Sequence, residues 1–458
     1  MKKFLLLFAV ALMGLTSASA ATDGQTYETK NGLKCANQWI MDRVHTRADF
    51  EASALTNTKT RTATVLNGVI YASHSEAKAI ITGTDTIVQG TLHRYDVLTG
   101  KYLGDLDLTL DGKPYGGALL SCNQIGTDNF GHLWIMPYTS EKTADIPIYL
   151  VDTTTGALTL EGTVSKGDAI LRVDFYDLVG DVTRADAECT IMAASTGDAF
   201  LYRWHAPKGG TFSGAFGSDP SYKVVQFYPQ EVNQWSYGPI VKISLGADDD
   251  TRYAGDFFYV DGFQTPPALY DNTGSLIDSF ESVDKDLVPE AGANGVAEFN
   301  LDGRDFMVYT KAQYLGDGHG CQTNVCEFGE DMAFAGMTKY WQLPADSLGK
   351  TSDTGVRSQS YSIWKTTENG EEVINLFTFK CYNGMGLWKI GKNVTSPSGG
   401  DTKKGDIDGD GVVNVKDVTA LVNQITTGKT TEAADIDGDG LVNVKDVTAL
   451  VNIITTSK

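Results

Sequence analysis

From Thr22 to Lys392 the apolar residues fall in short runs rich in β-branched and aromatic side chains, broken by clusters of Gly, Asn, Asp and Thr. Almost no stretch there repeats at three and four positions, so the pattern predicts strands and tight turns rather than helices. After Gly405 the period changes. Val415, Val418, Leu421, Val422 and Ile425, and again Val444, Val447, Leu450, Val451 and Ile454, keep helical spacing and predict two short amphipathic helices. Gly428 is placed to end the first. Between the two regimes, 393–404 carries Pro397, Gly399 and Gly400 and reads as a linker.

The strand-rich part repeats a phrase. Tyr95-Asp96 leads to Thr99-Gly100, Val151-Asp152 to Thr155-Gly156, and Tyr270-Asp271 to Thr273-Gly274. Asp caps such a turn and Gly takes its positive φ. An apolar strand precedes each phrase, at 69–74, 133–138 and 256–260. Three further strand pairs lack the turn: 189–194 with 200–204, 305–310 with 338–343, and 373–380 with 386–390. Six units spaced roughly 50 to 70 residues apart match the blade length of a β-propeller. The predicted fold class is therefore mainly β, a six- or seven-bladed propeller over 21–392 followed by a small all-α module over 405–458. Gln38-Trp39-Ile40-Met41 stands unpaired ahead of the first unit, and the last unit runs out after Trp388. An N-terminal strand completing the last blade would close the ring.

The chemistry concentrates at the C-terminus. Asp406-Ile-Asp408-Gly-Asp410-Gly-Val412-Val-Asn414-Val-Lys-Asp417 recurs as Asp435-Ile-Asp437-Gly-Asp439-Gly-Leu441-Val-Asn443-Val-Lys-Asp446. Side-chain oxygens at loop positions 1, 3, 5, 9 and 12, a carbonyl at 7 (Val412, Leu441) and a glycine at 6 suit a seven-coordinate hard cation, so two Ca²⁺ ions are expected. Four aspartates in each loop repel one another without a divalent ion between them. No helical pattern precedes either loop, which argues against a full helix-loop-helix EF-hand.

A loop and one following helix, duplicated in tandem, resembles the type I dockerin. That resemblance implies docking onto a cohesin-like domain of a scaffold or surface protein, in a cellulosome-like assembly. The copies from Asp406 and from Asp435 differ at Val412/Leu441, Gln424/Ile453 and Gly428/Ser457 alone, which implies two similar binding faces. In the family, loop positions 10 and 11 and helix positions 17 and 18 usually carry recognition. Here these are Val415, Lys416, Val422 and Asn423, and Val444, Lys445, Val451 and Asn452; the better-known Ser-Thr and Lys-Arg pairs are replaced.

At the other end Lys2-Lys3, an apolar run from Phe4 to Met13 and Ala18-Ser19-Ala20 read as a signal peptide over 1–20, so the protein is expected to be secreted, extracellular or held at the cell surface. The run is too short to span a bilayer, and no membrane insertion is expected. With 37 basic against 58 acidic residues and a net charge of −21, nucleic acid is excluded as an expected ligand. Six cysteines are too few for a disulfide-built fold. Cys321 and Cys326 suggest a local disulfide or two free thiols, with a zinc site using His319 as the sharper alternative.

Within the propeller three stretches are candidates. Asp174, Asp177 and Asp181, followed by Asp186 and Glu188, form the densest acidic run, where paired carboxylates would serve a glycosidic bond; a solvated loop is the plainer reading. Trp235, Tyr237 and Pro239 offer sugar stacking or inter-blade packing. Asp128-Asn-Phe-Gly131-His-Leu-Trp134 looks like a bacterial propeller turn and distantly like a sialidase Asp-box, expected on the outer rim with its tryptophan wedged between blades. No nucleophile elbow, phosphate loop or paired metal-binding histidines appears, and catalytic residues stay unassigned. Two readings follow: a dockerin-borne propeller that recognises or degrades polysaccharide, as a glycoside hydrolase or other polysaccharide-acting enzyme if catalytic, and a noncatalytic surface or adhesion protein whose propeller binds protein or cell wall.

Overall fold

The computed structural model describes residues 22–397 apart from 83–84, 117–120, 141–144, 166–171, 196–199, 213–221, 227–239, 245–256, 263–264, 272–274, 290–294, 316–317 and 352–358. Of the C-terminal module it describes residues 405, 407, 413, 415–427, 434–437 and 441–456. The signal-peptide stretch, Trp235, Tyr237 and Pro239, Gly428, and the loop residues Asp406, Asp408, Asp410, Val412, Asn414 and Asp439 lie outside the described residues.

Six sheets follow one another along the chain, antiparallel except where Thr109–Leu110 pairs parallel with the last strand of the second. Blade 1 is Thr60–Leu66, Val69–Thr82, Asp85–Asp96 and Tyr102–Asp107. Blade 2 is Gln124–Thr127, Leu133–Met136, Asp145–Val151 and Ala157–Ser165, extended by Thr109–Leu110 and Lys113–Pro114. Blade 3 is Asp177–Gly180, Cys189–Ala194, Phe200–Ala206 and Tyr222–Gln226, and blade 4 is Ile240–Ile243, Phe257–Gly262, Thr265–Asp271 and Leu276–Ser279. Blade 5 is Val296–Leu301, Arg304–Leu315, Gly318–Glu327 and Thr338–Leu343, with Lys350–Thr351 added. Blade 6 takes Gln359–Glu368, Glu371–Lys380 and Gly384–Gly391 from the end of the propeller and Lys34–Asp42 from its start.

The first strand of each blade touches the first strands of both neighbours, so these six strands ring a central axis. Each sheet is apolar on both faces because each faces another sheet. Accordingly, there is one buried cluster between every adjacent pair of blades: around Tyr71 and Ile135, Trp134 and Tyr202, Met192 and Phe258, Tyr259 and Met307, Val325 and Trp388, and Ile70 and Phe377. This six-bladed arrangement decides against seven blades.

Closure comes from the N-terminal strand, as expected. Lys34–Asp42 pairs antiparallel with Gly384–Gly391 and becomes the outermost strand of blade 6. A bulge between Asn37 and Trp39 is held by the Asn37 amide, which donates to the carbonyls of Trp39 (3.1 Å) and Leu387 (3.2 Å). Trp39 then reaches across to blade 1, where its indole N–H donates to the Val97 carbonyl at 2.9 Å.

Two expectations are corrected. Arg304–Leu315 does not pair directly with Thr338–Leu343; Gly318–Glu327 lies between them. That strand carries Cys321 and Cys326. Five positions apart on one extended strand, they point to opposite faces, so neither a local disulfide nor a shared zinc site forms. Both are buried thiols outside any disulfide, and burial pushes the Cys326 thiol up to about 12.

Candidate functional site

In the C-terminal module, helices Val415–Thr427 and Val444–Thr456 pack on each other through Leu421 and Leu450, with Ala434 and Ile436 between them. Val418, Ile425, Val447 and Ile454 support that core. The apolar stripe is narrower than its spacing suggested. Val415 is 73% and Val444 72% exposed, and Val422 and Val451 are 42% and 41% exposed. Lys416, Asn423, Lys445 and Asn452 are exposed beside them. Eight residues expected to recognise a partner therefore stand on the outside of the helix pair, four on each copy.

The loops are built so that carboxylates converge. Asp446, in the first turn of its helix, accepts from the backbone N–H groups of Ile436 (2.7 Å), Asp437 (3.1 Å) and Asn443 (2.7 Å). Burial works against ionisation there, yet those three donors hold the Asp446 carboxyl below the usual range. Asp435, Asp437 and Asp446 bring ligand oxygens within 4.8 Å of one another. Asn443 Oδ1 accepts from Lys445 N at 3.0 Å, and its amide donates to the Leu441 carbonyl at 2.9 Å. In the first copy Asp417 is buried and accepts from Ile407 N at 2.7 Å, mirroring Asp446 and Ile436. An all-oxygen set of this kind fits calcium.

Among the described residues the propeller has a channel along its axis, a cavity of about 720 Å³ lined by the innermost strands. Each of those strands has one backbone edge without a strand partner, and blades cap each other's edges in turn. Ser360 and Ser362 Oγ accept from Ala63 N (3.3 Å) and Val65 N (3.2 Å), and Thr62 Oγ1 accepts from Ile125 N (3.0 Å). Asn129 Oδ1 accepts from Gly180 N (2.9 Å), Asp177 Oδ2 from Ile243 N (2.7 Å) and Asp261 Oδ2 from Gly295 N (3.1 Å). Asp261 is fully buried, and burial pushes its carboxyl well above the usual range despite the Gly295 N–H and the nearby Lys380.

The acidic run of blade 3 is dispersed rather than paired. Asp174 is bound by Arg172 at 2.7 and 2.8 Å, and Asp177 by Lys242 at 3.0 Å. Burial raises the Asp181 carboxyl, but Thr183 and Asp186 donors outweigh it and hold the group low. Glu188 lies 3.6 Å from His205, and Asp186 is exposed at the surface.

The Asp128 turn joins the first two strands of blade 2 and so borders one end of the channel; it is not on the outer rim. Asp128, His132 and Asp181 cluster there. Both carboxylates are already occupied by backbone N–H groups, and His132 Nδ1 bridges toward them at 2.8 and 3.5 Å, which makes the cluster a turn lock. Trp134 is wedged between blades 2 and 3, as expected.

A closed six-bladed propeller followed by a duplicated loop-and-helix module places the chain among modular proteins with a docking tail. The model of the dockerin type I domain matches residues 404–455, so this part of the chain is a type I dockerin, a calcium-binding module that implies a cohesin-type partner. No curated protein matches the chain. Among solved structures, a DUF4623 family protein from Bacteroides eggerthii is 13% identical with a TM-score of 0.53, over 80% of this chain and 77% of that one, and supports the fold alone. Sqt1 from Saccharomyces cerevisiae (8% identical, TM-score 0.39, 77% and 99% covered) and a sialidase from Trypanosoma rangeli (9%, 0.36, 73% and 54%) are more distant and carry no inference here. No helix among the described residues is long and apolar enough to cross a membrane.

Proposed function

We propose that this is an exported protein whose dockerin, with one calcium ion in each loop, holds it on a cohesin-type domain while the propeller recognises polysaccharide. The first ion takes Asp406, Asp408, Asp410, the Val412 carbonyl, Asn414 and Asp417; the second takes Asp435, Asp437, Asp439, the Leu441 carbonyl, Asn443 and Asp446. The observation that carries this reading is the convergence of Asp435, Asp437 and Asp446 at the start of a helix whose outer face exposes Val444 and Val451 beside Lys445 and Asn452. Val415, Lys416, Val422 and Asn423, or Val444, Lys445, Val451 and Asn452, then form two equivalent faces, and valine in place of the usual polar residues makes docking largely apolar.

Recognition is favoured over hydrolysis because the first three acids of the blade 3 run are committed, Asp174 and Asp177 to cations and Asp181 to donors. Capture of the purified chain on an immobilised cohesin domain tests the docking reading. Calcium should be required, Val422→Asp and Val451→Asp should each cost little, and the double variant should lose capture. Full capture in excess chelator, or by the double variant, refutes it. Hydrolysis of any glycan by the purified chain refutes the choice of recognition alone.

A further inference from the structure

We propose that the docking face of each dockerin copy extends beyond Val415, Lys416, Val422 and Asn423, or their counterparts, to two exposed threonines that meet the partner through their methyl groups. This rests on the reading that the dockerin seats on a cohesin-type domain. On helix Val415–Thr427, Val415, Thr419, Val422 and Thr426 follow at i, i+4, i+7 and i+11, so they share one stripe, and all four are exposed. On Val444–Thr456 the stripe is Val444, Thr448, Val451 and Thr455, again exposed throughout. Each runs about 16 Å along its helix. Val418 and Ile425, partly buried against the core of the module, flank the first stripe on one side, and exposed Lys416 and Asn423 flank it on the other.

The threonine hydroxyls are spent inside their own helices. Thr419 Oγ1 donates to the Val415 carbonyl at 3.3 Å and Thr426 Oγ1 to the Val422 carbonyl at 2.9 Å. Thr448 and Thr455 repeat this on Val444 (3.3 Å) and Val451 (2.9 Å). A hydroxyl bonded back to the carbonyl four residues earlier has no proton left for a partner. What each threonine adds to the outer face is then a methyl group in line with the valines. The choice of residue type points the same way. β-Branched side chains lower helix propensity, and at exposed positions little packing within the module offsets that. Four of them on one stripe, in both copies, make a continuous apolar ridge of the kind that marks an interaction surface. The occupant is the cohesin-type domain that the dockerin match implies, because the ridge is continuous with the face already assigned to it. Its matching surface should be a strip of aliphatic or aromatic side chains about three helical turns long, with polar groups confined to the edge beside Lys416 and Asn423, since a donor facing a methyl group would be buried without an acceptor.

The test compares two versions of the full chain with wild type, in calcium, for affinity to a panel of immobilised cohesin domains. One carries Thr419→Val, Thr426→Val, Thr448→Val and Thr455→Val, and the other carries Ser at the same four positions. Valine keeps the methyl and removes the hydroxyl, serine does the reverse, and the two differ little in helix propensity. Both versions should keep the helical circular dichroism of wild type. On a cohesin that captures wild type, the valine version should bind at least as tightly, and the serine version about tenfold more weakly, since each lost methyl is worth about fourfold and each face loses two. Weaker capture of the valine version beside full capture of the serine version would mean that the hydroxyls make the contact, and it overturns the inference while docking stands. Equal capture of all three places the threonines outside the interface and overturns it as well. If no cohesin in the panel captures wild type in calcium, the docking reading itself falls and the inference with it.

Discussion

Replacing Trp39 by alanine should open the propeller ring, and the size of the effect follows from what this side chain touches. Trp39 is 1% exposed, packs 6.4 Å from the Phe377 ring and sits among Phe50, Tyr95, Val97 and Leu387 at the junction of the first and last blades. Deleting a buried aromatic of this size costs about 3–5 kcal/mol. Losing its hydrogen bond to Val97 adds about 1 kcal/mol, partly counted already in that range. A cooperative unit of about 360 residues from Lys34 to Gly391 unfolds with an entropy of about 0.75 kcal/mol per kelvin at its midpoint. The propeller transition in differential scanning calorimetry should therefore drop by about 5–7 °C. Trp39→Phe, which keeps most of the packing, should lower it by about 1–2 °C. The calcium-loaded dockerin is an internal control whose transition should not move. A Trp39→Ala midpoint within 1 °C of wild type would mean that the N-terminal strand does not bear on the cooperative unfolding of the ring.

His45 lies between buried Asp42 (2.7 Å) and Asp346 (3.1 Å); burial lowers its pKa, but the Asp42 bond and both acidic charges outweigh this and raise it. Its contribution is fully present below the unfolded value of about 6.5 and is lost as pH rises through the higher folded value, so the propeller's melting temperature should fall above pH 6.5 in wild type and less so in His45→Gln. His74 acts in the opposite sense, because burial and then the charge of His93 push it down to about 4. The unfolded chain alone takes up that proton, so stability should fall from about pH 6.5 toward 4, and His74→Asn should show a shallower slope in acid denaturation. In the dockerin, Gly405 holds φ +108°, and a Cβ there would lie 2.6 Å from Leu450 Cδ1. Gly405→Ala should cost roughly 1–3 kcal/mol in the melting of helical circular dichroism, with the propeller transition unchanged.

The parts of the fold legible in the chain are those fixed by contacts between near neighbours. Asp96 accepts from Leu98 N and Thr99 N, Asp152 does the same for Thr154 and Thr155, and Gly100 and Gly156 take φ +67° and +76°. Each of these two phrases thus carries its own turn and joins the third and fourth strands of its blade whatever the rest of the chain does, while Thr273 and Gly274 of the third lie outside the described residues. Gly318–Glu327 gave no such signal. Gly-His-Gly-Cys-Gln-Thr-Asn lacks apolar alternation, and Arg304–Leu315 on one side and Thr338–Leu343 on the other make it a strand. The same reason explains the cysteine correction, since spacing in sequence says nothing about pairing until the backbone is known to be extended.

The channel could not be read that way, because its chemistry is made between blades. Ser360 and Ser362 alternate on an innermost strand, which alone suggests only a half-buried face; their partners are Ala63 and Val65 at the opposite end of the chain. Capping of this kind uses up the hydroxyl and carboxylate groups that a motif search would nominate as functional. It takes Thr62, Asn129, Asp177 and Asp261 out of the list of free ligand contacts and commits them to holding the ring. What is left for a ligand is then defined by subtraction. In a closed ring whose strand edges cap one another, the densest cluster of acids marks structure before function: Asp177 caps the Ile243 N–H and pairs with Lys242, and so holds two blades together.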